Sequence, residues 1–321
     1  MNNIKLPVLY CPFPSAINQH YETACQQGRE WVCAFNLLEE LVCQNLFAAN
    51  LEILTARAYP NTSLKGLEIL TNFMHWFTIL DDESEKAGIS KQLEILEIKQ
   101  VRLLDILKGA ELTELDTPVA LAWRDIVQRL HQFPYVTSEW MLYFAKHIED
   151  YFQALRWEAL NYFQGIEPDL ATYIEMRHVV FGINLFIDLI VIADGIVLPS
   201  EVLECSIVKR MSRAASNAMA WANDIFSLKK DIKEGMVYNL VLILQHEYQI
   251  PLEEALKRAV KLHDAQVRNF IELSAHLPSF RAEIDVNLQH YVLALRFWMR
   301  ANLDWMMESR RYAKFCEYQP L

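Results

Sequence analysis

Glycine is scarce in this sequence, with only 8 residues among 321. Because glycine supplies tight turns and kinks, its scarcity predicts long helices joined by few sharp turns. The sequence shows no alternating strand pattern, no internal repeat and no low-complexity linker. We therefore predict one all-α domain over residues 1–321, with helices that are apolar on most sides and wrap around a core or cavity.

Long apolar runs are also missing. The nearest approach to the roughly 20 residues that span a bilayer, residues 179–192, contains Asp188. The start of the chain lacks the basic and apolar pattern of a secretory signal. The six cysteines form no C-x-x-C pair and lie mostly in apolar surroundings, which is typical of reduced thiols. We expect a cytoplasmic protein without membrane insertion.

Positively charged residues are fewer than negatively charged ones, with 30 Lys and Arg against 41 Asp and Glu, which gives a net charge of −11. This balance disfavours nucleic acid and anionic membranes as partners. A small anionic substrate stays compatible, because local metal ions and a few placed cations decide its binding. The nine histidines form no zinc pattern, and neither a P-loop nor a G-x-G-x-x-G motif occurs.

Apolar residues at three- and four-residue spacing predict roughly ten helices after an apolar N-terminal arm, residues 1–20, that we expect to pack on the domain. Cap and turn residues mark several of the helix ends. The predicted helices cover about 21–49, 64–80, 88–108, from 118 onward, 138–163, 169–192 with an interruption at Gly182, 199–231, 237–248, 251–277 and 278–308.

One helical stretch carries three oxygen-bearing side chains four residues apart, Asn223, Ser227 and Asp231. Steps of four keep side chains on one helix face, so an amide, a hydroxyl and a carboxylate oxygen can meet one small divalent cation. Lys230 adds a positive charge that suits a site where the metal also binds a polyanion. The alternative is a polar face of a solvated helix.

A second acidic cluster follows the aromatic run 73–80, where Asp81, Asp82, Glu83 and Glu85 stand within five residues. Placed at a helix C-terminus, these charges oppose the macrodipole unless a cation binds them. Asp81 and Glu85 are one turn apart and can face one site, with Asp82 on the flank. The alternative is an acidic surface loop.

Magnesium usually shares its shell with substrate phosphates, so two such clusters favour a diphosphate substrate. Direct donors to that diphosphate are then needed, and the candidates are Arg177, Lys230, Arg311 and Tyr312. Arg177 lies in an apolar segment, where a cation is costly unless it meets an anion. The alternative for Arg177 is a structural ion pair with a nearby acid such as Glu175 or Asp188.

These motifs resemble those of class I terpene synthases. Residues 223–231 read N-D-I-F-S-L-K-K-D and fit the second metal motif N-D-x-x-S-x-x-K-[DE] at every position, while 81–85 resemble the aspartate-rich first motif. Arg177 lies 46 residues before Asn223 (223 − 177), as the diphosphate-sensing arginine of the bacterial family does. Residues 302–305 with 311–312, and 6–15, are similar to its C-terminal signature and N-terminal arm.

The resemblance implies a helical bundle around an apolar cavity and about three magnesium ions. Asp81 would bind magnesium directly, with Asp82 and Glu85 supporting it through water or closure contacts. A further magnesium would lie on Asn223, Ser227 and Asp231, and the diphosphate would accept hydrogen bonds from Arg177, Lys230, Arg311 and Tyr312.

Two departures and the aromatic residues qualify this resemblance. The first motif reads D-D-x-x-E, and the family's linker position, often polar or acidic, holds the apolar Val180. The family's effector acts through a carbonyl at a helix break, which leaves Phe181 or Gly182. Aromatic residues near the motifs are either core or walls for a carbocation, and Phe73, Phe77 and Trp305 are the candidates for walls.

The resemblance implies a sesquiterpene cyclase acting on farnesyl diphosphate, with products of germacrene or selinene type, and members often form homodimers. A prenyl-chain-elongating synthase is the nearest alternative, although it would carry a second aspartate-rich motif where this chain has Asn223 and Ser227. A non-enzymatic helical scaffold, with acidic clusters for solubility, is the alternative from another class.

Overall fold

The computed structural model describes residues 7–89 and 92–313, with the backbone alone at 85–89, 312 and 313. Throughout these ranges the regular elements are helices and no strand occurs, which confirms the all-α prediction. The chain divides into two compact units. The N-terminal unit comprises Ile17–Ile166 and Asn184–Ile196, and the C-terminal unit comprises Met1–Ala16, Glu167–Ile183 and Val197–Leu321. A single domain over 1–321 stays a prediction.

The N-terminal unit is built around one long helix, α4, which packs against α1, α3, α6 and α7. Its apolar residues point in nearly all directions, and most of those between Leu67 and Leu80 are buried, as expected of a helix enclosed by others. The helices carried by this unit, numbered along the whole chain, are α1 Tyr21–Ala34, α2 Glu40–Ala48, α3 Leu51–Ala58, α4 Leu64–Ile89, α5 Leu93–Leu107, α6 Pro118–Leu130, α7 Ser138–Gln164, α9 Ile183–Asp188 and α10 Ile190–Asp194.

The C-terminal unit is built around α12, which packs most extensively against α14 and also against α8, α13 and α15. Five alanines between Ala214 and Ala222 are buried, so this helix combines high helix propensity with a small surface that lets α14 approach. The helices of this unit are α8 Leu170–Val180, α11 Ser200–Leu203, α12 Ser206–Glu234, α13 Leu240–Tyr248, α14 Leu252–Ala275, α15 Ala282–Glu308 and α16 Arg310–Ala313.

The described part of the N-terminal arm packs on the C-terminal unit, as predicted. The backbone N–H of Tyr10 donates to Asp264 Oδ1 over 2.9 Å, and the guanidinium of Arg268 lies 4.9 Å from the centre of the Tyr10 ring. Further along the arm, Phe13 meets Phe270 edge to face at 5.8 Å. Polar and aromatic contacts therefore fix the arm to α14.

The predicted end of the second helix at about residue 80 is wrong. Helix α4 continues to Ile89, because the residues after Leu80 include good helix formers and no proline. The hydroxyl of Ser84 also donates a hydrogen bond to Leu80 O over 2.8 Å, within the same helix. The predicted restart at residue 88 is wrong for the same reason, since α5 begins at Leu93. The acidic residues therefore lie inside α4, where the macrodipole penalty is weaker than at a terminus.

Two other predicted helices are divided in the structure. The helix predicted over 21–49 is α1 and α2, separated near Asn36, and the predicted list missed α3, which follows Asn50. Both asparagines have positive φ, 49° and 53°, a conformation that asparagine tolerates better than most residues. The helix predicted over 199–231 is α11 followed by α12. The described residues thus form sixteen helical segments, more than the ten predicted.

A search of the described helices for membrane spans finds no single helix that is long and apolar enough to cross a bilayer. By length and composition alone, the broken pair Leu170–Val180 and Ile183–Asp194 meets the criteria when its two parts are counted together.

Candidate active site

The first acidic residue of the predicted metal motif is held by a tyrosine in the N-terminal unit. Asp81 lies half-buried on α4, and the hydroxyl of Tyr151 on α7 donates to Asp81 Oδ1 over 3.0 Å. Burial, together with the nearby Asp81 carboxylate, raises the pKa of Tyr151 well above its usual value. The phenol therefore stays protonated and acts as a donor that orients this carboxylate.

The other acids of this motif have different surroundings. Asp82 is half-buried, and Glu83 forms an ion pair with Lys99 of α5 over 3.2 Å. The side chain of Glu85 lies outside the described residues. The helical course of α4 through residue 85 keeps the spacing on which its predicted role depends.

An aromatic cluster begins one turn before Asp81. The ring of Phe77 lies 4.9 Å from Phe186 and 5.1 Å from Tyr151, centre to centre. Phe73 has rings on many sides, which fits its alternative as core; its neighbours are Trp76, Phe77, Trp123, Phe144 and Phe186. For both Phe73 and Phe77, a place in the wall of a substrate pocket stays a prediction.

The second predicted metal motif lies in the last third of α12, in the C-terminal unit. Ser227 Oγ donates to Asp231 Oδ2 over 2.6 Å, so these two oxygen ligands share one helix face as the spacing predicts. Ser227 is buried, while Asn223 and Asp231 are half-buried. Burial raises the pKa of Asp231, and hydrogen bonds from Ser227 and Asn239 oppose that rise.

Arg177 joins α8 to this motif. Its guanidinium donates to Asn223 Oδ1 over 3.1 Å and to Asp224 Oδ1 over 2.8 Å from Nη2 and 3.0 Å from Nε. Asp224 is fully buried and also accepts the hydroxyl of Tyr173. Arg177 does form an ion pair with a nearby acid, as its structural alternative expected, but the acid is Asp224 and not Glu175 or Asp188.

Glu175 and Asp188 have other partners. Glu175 is 3.1 Å from Arg213, and Asp188 is 2.6 Å from His147. Each acid therefore has a basic partner within its own unit.

A second arginine holds α8 on α12. Arg213 donates to Ile174 O over 2.9 Å and lies 3.2 Å from Nε2 of His178, the residue directly after Arg177. Burial, with the charge of Arg213, lowers the pKa of His178 to about 3. His178 is therefore neutral at physiological pH and can accept a hydrogen bond from Arg213.

The helix break after Arg177 is confirmed. Helix α8 ends at Val180, and Gly182 has φ +69°, the left-handed conformation that favours glycine. Phe181 N–H bonds Arg177 O over 2.9 Å, and the Arg177 guanidinium lies 5.3 Å from the centre of the Phe181 ring. The effector role predicted for Phe181 or Gly182 stays a prediction.

The remaining diphosphate candidates lie near helix ends of the C-terminal unit. Lys230 pairs with Glu234 over 3.0 Å, one turn further along α12. Arg311 is half-buried in α16, the side chain of Tyr312 lies outside the described residues, and Trp305 is buried near the end of α15. The roles predicted for these four residues stay predictions.

Sequence reasoning missed the residues that orient the predicted ligands. Asp224 was present inside the motif, so a search for a buried partner of Arg177 could have found it, and Tyr173, one turn before that arginine, binds the same carboxylate. Tyr151 and Asn239 carry no comparable signal, because their contacts to Asp81 and Asp231 depend on tertiary packing.

The donors of the second motif fit a small, hard divalent cation. Asn223, Ser227 and Asp231 offer an amide, a hydroxyl and a carboxylate oxygen, the ligand type that magnesium and manganese prefer. In the described ranges, no three His, Cys, Asp or Glu side chains are grouped so that they could hold a metal ion.

Comparison with known proteins shows which family the chain resembles. Residues 72–269, more than half of the chain, match the family described as terpene synthase family 2, C-terminal metal binding. Germacrene A synthase of Nostoc punctiforme is 36% identical over 97% of this chain and 96% of its own length. A (+)-T-muurolol synthase of Roseiflexus castenholzii, described as cyclising (2E,6E)-farnesyl diphosphate, is 34% identical over 95% and 93%.

Solved structures show the same helical fold. Hedycaryol synthase, determined in complex with HEPES, superposes with a TM-score of 0.82 at 22% sequence identity, covering 96% of this chain and 100% of that one. At this identity the likeness establishes the fold, which is the class I terpene synthase fold.

Proposed function

The chain belongs to terpene synthase family 2, and on that premise we propose that it is a magnesium-dependent cyclase that converts farnesyl diphosphate into a sesquiterpene. Terpene synthases are lyases that depend on divalent metal and act on prenyl diphosphates. The C15 substrate is supported by relatives of matching length, including one whose name specifies farnesyl diphosphate. Magnesium, about three ions per active site, is the finer proposal.

The observation that carries this proposal is the contact of Arg177 with Asn223 Oδ1 over 3.1 Å. A guanidinium fork recognises phosphate oxygens, and here it lies beside an oxygen ligand of the predicted metal motif. Nε and Nη2 of Arg177 both donate to Asp224, and Nη2 also reaches Asn223. Its extra contact to Asn223 supports a shared task for the arginine and the motif.

The proposed roles follow from these positions. Bound magnesium would supply Lewis-acid stabilisation of the leaving diphosphate, with Asp81 as a ligand supported by Asp82 and Glu85. The other ligands would be Asn223, Ser227 and Asp231. Hydrogen bonds to the diphosphate oxygens would come from Arg177, Lys230, Arg311 and Tyr312, and they strengthen as negative charge develops there.

Aromatic side chains would enclose the carbocation and keep water away until it is quenched. The candidates are Phe73, Phe77 and Trp305, with Phe181 or Gly182 near the leaving group. A cation over an aromatic face gains about 2 kcal/mol when desolvated, and exclusion of water prevents simple hydrolysis. The product is proposed to be of germacrene or selinene type.

The proposed function is tested by incubating the protein with farnesyl diphosphate and Mg²⁺, with and without isopentenyl diphosphate, followed by gas chromatography with mass detection. We expect a sesquiterpene whose yield does not depend on isopentenyl diphosphate. Longer prenyl diphosphates would establish an elongating synthase instead. No turnover, together with no magnesium-dependent binding of diphosphate, would establish the scaffold alternative.

Three further assignments accompany this proposal. We propose that residues 1–321 act as one catalytic domain, that the protein is cytoplasmic, and that it pairs as a homodimer. Size-exclusion chromatography with light scattering gives the oligomeric state, and the mass of a monomer would reject the dimer.

A further inference from the structure

Asn239 connects α12 to α13 and is completely buried. It stands eight residues after Asp231, outside the metal motif, and it is the N-cap residue of α13. Its backbone is extended, with φ −144° and ψ 130°. A buried amide must satisfy both its oxygen and its nitrogen, so the partners of each atom define what this residue does.

The oxygen of Asn239 has a structural partner. Oδ1 accepts the backbone N–H of Val241 over 2.9 Å, the usual bond of an N-cap side chain. This bond accounts for the amide oxygen of Asn239 but not for its amide nitrogen. A serine or a threonine could make it equally well, because both are good N-cap residues.

The nitrogen of Asn239 faces the metal motif. Nδ2 donates to Asp231 Oδ2 over 2.8 Å and to the backbone oxygen of Asp224 over 2.7 Å, and it lies 3.5 Å from Ser227 Oγ. Because Ser227 Oγ also donates to Asp231 Oδ2, one carboxylate oxygen receives two hydrogen bonds. Asn239 thus fixes the position of two of the three predicted ligands.

The start of α13 adds a second connection to the motif. Leu240 N–H donates to Asp224 Oδ2 over 3.1 Å, and the same Asp224 binds Arg177 through Oδ1. The N-terminus of α13 therefore touches both the carboxylate that orients the arginine and the carboxylate predicted to bind metal. Residues 239 and 240 place these two groups in one rigid arrangement.

We propose that Asn239 is a positioning residue that holds the Asp231 carboxylate and the Ser227 hydroxyl in the orientation needed to bind a divalent cation with diphosphate. This inference rests on the proposed function, which assigns Asn223, Ser227 and Asp231 as metal ligands. Partners that orient metal ligands from outside the first shell typically contribute 10–100-fold to metal affinity. The opposing account is that Asn239 serves only to start α13.

The chain offers a matched control for the alternative that Asn239 serves only to start α13. Asn18, in the N-terminal unit, is equally enclosed, accepts the N–H of His20 through Oδ1 over 2.9 Å, and donates from Nδ2 to the carbonyls of Tyr59 and Thr62. It therefore repeats the side-chain-to-backbone bonds of Asn239 without a carboxylate partner. Substituting each asparagine by serine removes a buried amide donor in both cases.

The test measures Mn²⁺ binding by electron paramagnetic resonance in the presence of inorganic diphosphate, alongside thermal unfolding. The variants are Asn239→Ser, Asn18→Ser and Asn223→Ala. We expect Asn239→Ser to weaken Mn²⁺ binding at least tenfold. Asn18→Ser should lower the melting temperature while Mn²⁺ binding stays within about twofold of the unmodified protein.

The metal assignment and the positioning role of Asn239 can be rejected separately. If Asn223→Ala abolishes Mn²⁺ binding but folded Asn239→Ser binds within twofold of the unmodified protein, the positioning role is rejected and the metal site stands. If the unmodified protein does not bind Mn²⁺ with diphosphate, or Asn223→Ala binds normally, the metal assignment fails and the inference fails with it. Should Asn239→Ser not fold, Asn239→Thr carries the same test, because a β-branched residue suits the extended backbone.

Discussion

At the scale of single residues, the proposed chemistry depends on a carboxylate that binds no substrate. Asp224 is fully buried and receives the guanidinium of Arg177, the hydroxyl of Tyr173 and the N–H of Leu240. A buried charge is stable only when it is paired and hydrogen-bonded, and this one is both. Asp224 therefore sets where the guanidinium of Arg177 points.

We predict that Asp224→Asn lowers turnover of farnesyl diphosphate by about 10²-fold, because a small displacement of a substrate-positioning group can cost that much. The amide nearly keeps the shape but loses the charge that orients Arg177. Steady-state kinetics by release of diphosphate measures the effect, with circular dichroism to verify the fold.

A matched control for this substitution is Asp116→Asn. Asp116 is half-buried and forms a two-pronged pair with Arg102, over 2.7 and 2.6 Å, in the N-terminal unit. Its loss should lower the melting temperature only slightly, because an ion pair near the surface contributes little to stability, while turnover stays within about threefold of normal. Equal kinetic losses in the two variants would mean that Asp224 acts through stability alone.

At the scale of elements, α8 is held on α12 through its central turns. Arg213 binds Ile174 O and His178, and Arg177 binds Asp224, so two arginines on different helices hold one interface. The contact between Arg213 and His178 requires a neutral imidazole, because a protonated imidazole has no acceptor for Arg213 and would repel it. The position of Arg177 is therefore coupled to the protonation of its neighbour.

This coupling predicts an acid-sensitive interface. The pKa of His178 is about 3 in the folded protein and near 6.5 when unfolded, so the unfolded state binds more protons below pH 6.5. Stability from this residue is complete above about pH 6.5 and is lost as the pH falls below that value. Between pH 7.5 and 5.0 we expect a loss of roughly 1–2 kcal/mol.

Urea unfolding at pH 7.5 and 5.0 measures this prediction. In His178→Gln, whose amide oxygen can still accept from Arg213, the difference between the two pH values should be smaller by that amount. The exposed His131, changed to Gln, serves as the control and should leave the difference unaltered. An unchanged difference in His178→Gln would contradict the proposed coupling.

At the scale of the whole molecule, the helical class and the two motifs could be predicted from sequence, because spacing and side-chain chemistry are local. The break at Gly182 was also local, since glycine favours the positive φ that this residue adopts. The end of α4 could not be predicted in this way. The acids after Leu80 suggested a loop, whereas the helix propensity of these residues favours continuation of the helix.

The hydrogen-bond partners of the predicted metal ligands could not be predicted from sequence, for a different reason. The contacts of Asp81 with Tyr151, and of Asp231 with Asn239, depend on helix packing and loop placement rather than on spacing within one helix. The contacts of Arg177 could be predicted from sequence only in part. Its need for an anion followed from its apolar segment, but its partner proved to be Asp224, which sequence proximity alone did not favour over Glu175 or Asp188.

The central claim is that the two oxygen-rich motifs jointly drive metal-dependent departure of diphosphate. The most direct measurement quantifies inorganic diphosphate and hydrocarbon released from farnesyl diphosphate by the unmodified protein, by Asp81→Ala and by Asn223→Ala. We predict equal amounts of the two products from the unmodified protein with Mg²⁺, and loss of both with EDTA and in each folded variant. Near-normal release of diphosphate and hydrocarbon by either variant, or without divalent metal, would contradict the claim.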